Sequence, residues 1–423
     1  MARYYIKTFG CKVNQVESDE LHAALALIDA CNVDSLEEAE FVIVNTCTVT
    51  GEADRKVRKE LRKAARTENV LAVIVTGCSA ALKKEELREI DEKVFVLAAR
   101  DEIPAFIARM TEEWVFADEV DAERPEHPAS TSSAALAKRV RVPVKVQDGC
   151  ESFCSYCIVP FVRGACLSVP ADEVVGRVHE LANLGVKEVV LTGINLGNYA
   201  DGECSNLAAL LGRLQAETDI YRVRLSSIEP GDVAGELLSF LRPSADGSMP
   251  LLCEHLHIPL QSGSDYVLGE MNRRYTVDDF REIVRAIRQV NPHTAITTDV
   301  IVGYPCEDDE DFQQTLDLVQ KIGFANVHVF RYSPREGTAA ASLMPLDPQL
   351  IKQRAQRLQE LADQQAADFK QQLTGKKLEV IIETVDDALG VANGTSREYL
   401  RPSLPVDSLP KNVQAGDIVT LSL

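Results

Sequence analysis

From Arg139 to about Pro334 the chain repeats one unit, a short apolar or β-branched run followed by apolar residues at helical spacing. Six runs read as strands: VPVKVQ, EVVLTGI, YRVRLSSI, EHLHIPL, AITTDVIVGYP and NVHVFRYSP. Between them lie helical stretches such as ADEVVGRVHELANLG and DFREIVRAIRQV, several closed by Gly or Pro. Strand–helix–strand connections are right-handed, which sets such strands parallel. Six units curl into a partial (β/α)6 barrel; eight would close it, and six leave an opening suited to a large substrate. The predicted class is α/β, and the chemistry of such barrels lies at the carboxyl ends of the strands.

The flanking segments differ in pattern. Residues 1–120 read as an open parallel α/β sheet with helices between its strands. Residues 121–138 (DAERPEHPASTSSAALAK) suit a linker. The barrel is expected over 139–372, ending in a long polar helix whose start Asp347-Pro348 caps. Residues 373–423 carry short strands with turn signals, a small all-β module of a kind often used on nucleic acid, although this one is weakly acidic and could equally serve packing.

Eleven cysteines on a chain with no visible export signal favour metal or catalytic roles over disulfides. Cys150, Cys154 and Cys157 form C-x3-C-x2-C after the first barrel strand. Three thiolates on one short loop can hold three irons of a [4Fe–4S] cube and leave the fourth open; zinc would want a fourth ligand, and no His stands nearby. Cys11, Cys47 and Cys78 each end a strand-like run: YYIKTFGC, FVIVNTC and VLAVIVTGC. Carboxyl ends of neighbouring parallel strands share one edge, so these thiols can converge as a second trio. The competing reading is three ordinary buried cysteines. Cys31, Cys166, Cys204, Cys253 and Cys306 show no such spacing and read as structural.

The formal charge of −20 excludes indiscriminate polyanion binding but not a local basic face. Helix 53–66, ADRKVRKELRKAAR, has seven Arg or Lys against two acids and is either a solvated surface or an RNA contact. No run approaches the roughly 20 apolar residues that cross a bilayer, so no membrane association and a cytoplasmic location are expected.

The motifs GCKVNQVESD (10–19), NTCTVTGEADRK (45–56), TGCSA (76–80) and DGCESFCSYCIVPFVRG (148–164) resemble those of the radical S-adenosylmethionine (SAM) methylthiotransferases, and the similarity covers essentially the whole chain. The form GCKVNQ is similar to the branch acting on threonylcarbamoyl-adenosine of tRNA, and the terminal module resembles a TRAM domain. The resemblance implies two [4Fe–4S] clusters, one on Cys150, Cys154 and Cys157 that cleaves SAM, one on Cys11, Cys47 and Cys78 that holds the sulfur to be transferred. It implies methylthiolation at C2 of N6-threonylcarbamoyladenosine 37 in the tRNA anticodon loop, an electron donor of flavodoxin or ferredoxin type, and a sulfur source. Substrates in other branches are isopentenyl-adenosine 37 or a ribosomal protein residue; an electron carrier with two clusters is the reading outside this class. Gly193, Asn195 and Glu229, in LTGINLG and SSIEP, are expected SAM contacts, and Tyr156 an adenine or packing partner. His255 and His257 read as hydrogen-bonded strand histidines. Relatives carry more arginines after Val162-Arg163-Gly164, where this chain continues Ala165-Cys166-Leu167-Ser168-Val169.

Overall fold

The computed structural model describes residues 1–48, 51–115, 139–233, 235–243 and 249–422; the expected linker 121–138 lies outside them. Two compact units result, Met1–Lys138 with Phe161–Arg163, and Arg139–Pro160 with Gly164–Leu423.

The first unit is built on β1 (Arg3–Thr8), β2 (Cys31–Asn32), β3 (Phe41–Thr46), β4 (Ala72–Gly77) and β5 (Val94–Val96), in the order β2-β1-β3-β4-β5. The pairings are parallel, as strand–helix alternation requires. Alternate residues of β3 serve opposite layers. Val42 and Val44 pack with Val57 and Leu61 of helix Gly51–Ala65, while Phe41 and Ile43 pack with Leu21, Leu25 and Ile107. Burial on both faces explains why FVIVNT reads as a continuous apolar run. In this order the sheet reverses direction between β1 and β3, and ligands of such sheets bind outside the carboxyl ends at that point.

In the second unit the six expected barrel strands all form: β6 (Arg141–Lys145), β9 (Glu188–Thr192), β10 (Arg222–Leu225), β11 (His255–His257), β12 (Ala295–Val302) and β13 (Asn326–Arg331). They make two parallel three-stranded sheets, β6-β9-β10 and β11-β12-β13, linked by the bridges Val223–Leu252 and Ser227–His257. A short antiparallel pair, β7 (Gln147–Asp148) and β8 (Leu167–Ser168), brackets the cysteine loop.

The terminal strands β14 (Lys377–Asp386), β15 (Val391–Ser396), β16 (Ser403–Pro405) and β17 (Ile418–Ser422) form a curled antiparallel sheet, β16-β15-β14-β17. Leu378, Val380 and Ile382 share one core with Phe369 and Leu373 from the end of helix Pro348–Gln372. A buried ion network adds to it. Glu188 accepts from Arg222 Nε at 2.7 Å and Arg224 Nε at 2.8 Å. The same guanidinium groups donate onward to the backbone oxygens of Thr395, Ser396 and Arg397. Tyr399, stacked on His255 at 4.5 Å with the Arg141 and Arg224 guanidinium groups over its ring, closes the lumen at the amino ends of the strands.

Candidate active site

The three amino-terminal cysteines follow three adjacent strands, so the sheet brings them to one edge at the reversal point. Two glycines hold the loops close. A side chain at Gly10, whose φ is +113°, would meet Cys47 Cβ at 2.7 Å, and one at Gly77, φ +84°, would meet Asn45 Oδ1 at 2.5 Å. Buried polar groups tie the loops to each other. Asn14 Nδ2 donates to Thr46 O at 3.1 Å, Asn45 Nδ2 to Asn14 O at 2.9 Å, Ser79 N to Thr46 Oγ1 at 3.1 Å and Ser79 Oγ to Cys47 O at 3.1 Å. These are the Asn, Thr and Ser of GCKVNQ, NTC and TGCSA; they orient the thiols rather than act as ligands. Burial pushes the Cys78 thiol up, while Arg163, itself 2.9 Å from Glu17, pulls it down.

In the second unit Cys150, Cys154 and Cys157 share one loop beyond β6. A side chain at Gly149, φ +73°, would fall 1.9 Å from Ala165 O, so only glycine fits before Cys150. Ser155 N donates to Met271 O at 3.1 Å and Asn272 Nδ2 to Phe153 O at 2.9 Å, which pins the loop to residues 271–272. Burial pushes the Cys157 thiol up to about 12, with the neighbouring Cys154 and Cys150 adding to the rise against the Val159 N–H. Three thiols crowded in this way favour a bound cation, whose charge would deprotonate them.

Around this loop the structure places four of the sequence-predicted residues as follows. Asn195 Nδ2 lies 3.8 Å from Cys150 Sγ, and its amide N donates to Gln147 Oε1 at 2.8 Å. Gly193 makes room for Gln147, whose Oε1 would be 2.9 Å from an added Cβ. Tyr156 packs against a cluster of Val267, Met271 and Tyr304. Glu229 pairs with Arg273, and burial raises its carboxyl against the pull of that guanidinium. Arg273 was not foreseen from the sequence. It donates to Cys154 Sγ at 3.2 Å and to the Tyr275 hydroxyl at 3.1 Å, putting one buried cation between thiol and carboxylate. Only the tandem arginines of MNRRYT hinted at it.

The donor set suits an iron–sulfur cluster with SAM beside it. Thr192 Oγ1, Asn195 Oδ1 and Ser226 Oγ, at adjacent strand ends, are buried with no hydrogen-bond partner among the described residues. Such acceptors are costly unless a ligand satisfies them, and an amine or a ribose hydroxyl would. Among the described residues, the trio of His, Cys, Asp or Glu side chains close enough to hold a single ion is His257, Asp299 and His328, within 4.8 Å. Neither cysteine trio is that tight, whereas thiolates on one zinc would stand about 3.8 Å apart.

On helix Gly51–Ala65, Arg58 is engaged by Glu86 and Lys56 by Glu52, so part of the basic run is locally neutralised. Lys59, Arg62, Lys63 and Arg66 instead line an open cavity of about 430 Å³. The other five cysteines are free thiols without a trio of their own.

An open six-stranded barrel with three cysteines on its first loop, joined to a parallel α/β unit with three more, defines an iron–sulfur enzyme that works on SAM. The Radical SAM superfamily model matches residues 144–319, and the model described as Uncharacterized protein family UPF0004 matches residues 3–98. A Thermotoga maritima protein named threonylcarbamoyladenosine tRNA methylthiotransferase MtaB is 37% identical over 408 residues, 94% of this chain and 90% of its own. A Roseobacter denitrificans tRNA-2-methylthio-N(6)-dimethylallyladenosine synthase is 32% identical over 434 residues, 100% of this chain and 96% of its own. This chain belongs to the radical SAM methylthiotransferase family. Its fold is similar to that of the radical SAM methyltransferase TsrM from Kitasatospora setae, with a TM-score of 0.57 at 14% identity over 81% of this chain and 77% of that one. Among the described residues no helix is long and apolar enough to cross a membrane.

Proposed function

We propose that this chain replaces the C2 hydrogen of N6-threonylcarbamoyladenosine, at position 37 of tRNA, with a methylthio group. The observation that carries the reading is the pair of cysteine trios, each at the carboxyl edge of a parallel sheet, in a chain whose T. maritima relative bears the name of that activity. Cys150, Cys154 and Cys157 would hold one [4Fe–4S] cluster, Cys11, Cys47 and Cys78 a second, and Asn195, Thr192, Ser226 and Glu229 would contact SAM. When bound, cluster and SAM supply one-electron cleavage, hydrogen-atom abstraction and the methyl group.

The chain's own groups do the rest. Arg273 sets a positive charge beside Cys154 and holds Glu229 in place. The unpartnered strand-end oxygens orient a ligand bearing donors. Tyr399 and its arginines shut the amino end of the lumen, keeping water from a reactive site. No side chain is needed as a general acid or base, because a hydrogen atom rather than a proton is removed. Mass spectrometry of tRNA nucleosides from a deletion strain tests the reading: the methylthio form of threonylcarbamoyladenosine should disappear and its unmethylthiolated parent accumulate. Persistence of the product in a strain with no second such enzyme would refute it.

The exposed face Lys59, Arg62, Lys63 and Arg66 fits the phosphate backbone of that tRNA. Reversing Arg62, Lys63 and Arg66 to Glu should weaken tRNA binding more than tenfold at low salt and flatten the salt dependence, each lost phosphate contact lowering the log–log slope by about 0.7–0.9. Filter binding across a salt series measures both. Unchanged affinity would return the helix to the role of a solvated surface.

A further inference from the structure

Three polar side chains face one another on adjacent barrel strands, outside the ligand set above. Strand register puts Asp299 of β12 directly opposite His328 of β13, and Thr297 opposite His257 of β11. His257 Nε2 lies 3.2 Å from Asp299 Oδ1, and its Nδ1 2.9 Å from Thr297 Oγ1, so both ring nitrogens are engaged and the ring is fixed. The His328 ring stands 5.6 Å from that of His257, and its nitrogens make no hydrogen bond among the described residues. His328 is exposed on the open edge strand. The bridge between Ser227 and His257 seats the trio beside the strand end that carries Ser226 and leads to Glu229. Tyr399 closes the lumen at its other end.

Relatives of comparable identity carry names with two different base substituents, threonylcarbamoyl and dimethylallyl. These make opposite demands on a wall. The dimethylallyl group gains only by burial against apolar surface, and an imidazole–carboxylate–imidazole wall offers little. The threonylcarbamoyl group brings a carboxylate, a hydroxyl and ureido N–H groups, each costly to desolvate without partners. We infer that Asp299 and His328 read this substituent, His328 donating an N–H to its carboxylate and Asp299 accepting from its hydroxyl or ureido N–H. His257, anchored by Thr297, is a positioning residue that holds the Asp299 carboxylate. The inference rests on the threonylcarbamoyl reading proposed above and adds the residues that select for it.

The test removes the substrate carboxylate and the imidazole separately. Reconstituted full-length enzyme is given anticodon stem-loops bearing threonylcarbamoyladenosine or its threoninamide counterpart, which replaces the carboxylate by a neutral amide. The wild type should prefer the carboxylate about 10- to 100-fold in kcat/KM, chiefly through KM. His328→Ala should lose that preference to within about twofold, and His328→Gln, which keeps a donor, should fall between. Fluorescence anisotropy of the same stem-loops gives the ratio for a variant that does not turn over. An undiminished preference in His328→Ala overturns the inference. Failure of the parent reading looks different: the wild type itself would methylthiolate a dimethylallyladenosine stem-loop and leave the threonylcarbamoyl one untouched.

Discussion

Cys154→Ala will reduce SAM cleavage to background, whereas Cys47→Ala will leave cleavage intact and remove the methylthio product. The two trios stand on different sheets and receive support from different residues. Cys154 sits in a loop whose partners are Arg273, Asn272 and Met271, and its loss takes one of three thiols from the donor set beside the unpartnered strand-end oxygens. Cys47 lies in a network of Asn14, Asn45, Thr46 and Ser79 that shares no residue with that loop. Even changes behind metal ligands cost 10–100-fold in metal affinity, so losing a ligand should lower product more than about 100-fold in each variant. Anaerobic reconstitution with dithionite and SAM, 5′-deoxyadenosine by chromatography, nucleosides by mass spectrometry and iron per chain together measure the outcome. A Cys47→Ala enzyme that still made methylthio product would remove the second cluster from the proposal. A Cys154→Ala enzyme that still cleaved SAM would remove the first.

The barrel was legible because periodicity and turn chemistry agree along it. The run AITTDVIVGYP alternates between lumen and helix layer, and Asp308 caps the next helix with Asp311 completing a capping box, so the acidic stretch after Cys306 serves as that helix's start. The amino-terminal trio was legible for a topological reason: three parallel neighbours must end at one edge. Arg273 was not, because it lies 119 residues from Cys154 and no local pattern announces contact over that distance. The contact of Gly193 with Gln147 was not legible either, since a missing Cβ in a sequence does not say which side chain approaches it. The pairing of Arg58, on the basic helix, with Glu86, on another helix, was likewise not legible from local pattern. The run YRVRLSSI is legible as a strand, but not the full burial of Arg222 and Arg224, because the groups that engage them, Thr395 O for Arg222 and the Tyr399 ring for Arg224, come from the far end of the chain.

That buried network yields the second large effect. Glu188→Ala should destabilise the second unit by about 3–5 kcal/mol, because Arg222 and Arg224, both 0% exposed, would keep their charges in a low-dielectric interior without the carboxylate that balances them. In a unit of this size each kcal/mol moves Tm by roughly 2–4 °C, so a drop of about 10 °C is expected. The pH dependence carries a signature of its own. Burial alone would raise the Glu188 carboxyl, but the arginines overcome it and hold it at about 2, below the ordinary 4.5. A group lowered on folding contributes its stability fully above its ordinary value and loses it as pH falls toward the folded one. The wild type should therefore keep this contribution at pH 7 and shed it between about 4.5 and 2, while Glu188→Gln, which retains acceptor and shape but no charge, should start less stable and show a shallower acid limb. Thermal unfolding of wild type and both variants across pH 3–7 measures this. Equal slopes in wild type and Glu188→Gln would mean that the network holds the terminal sheet by hydrogen bonds to Thr395, Ser396 and Arg397 alone, with the Glu188 charge contributing nothing.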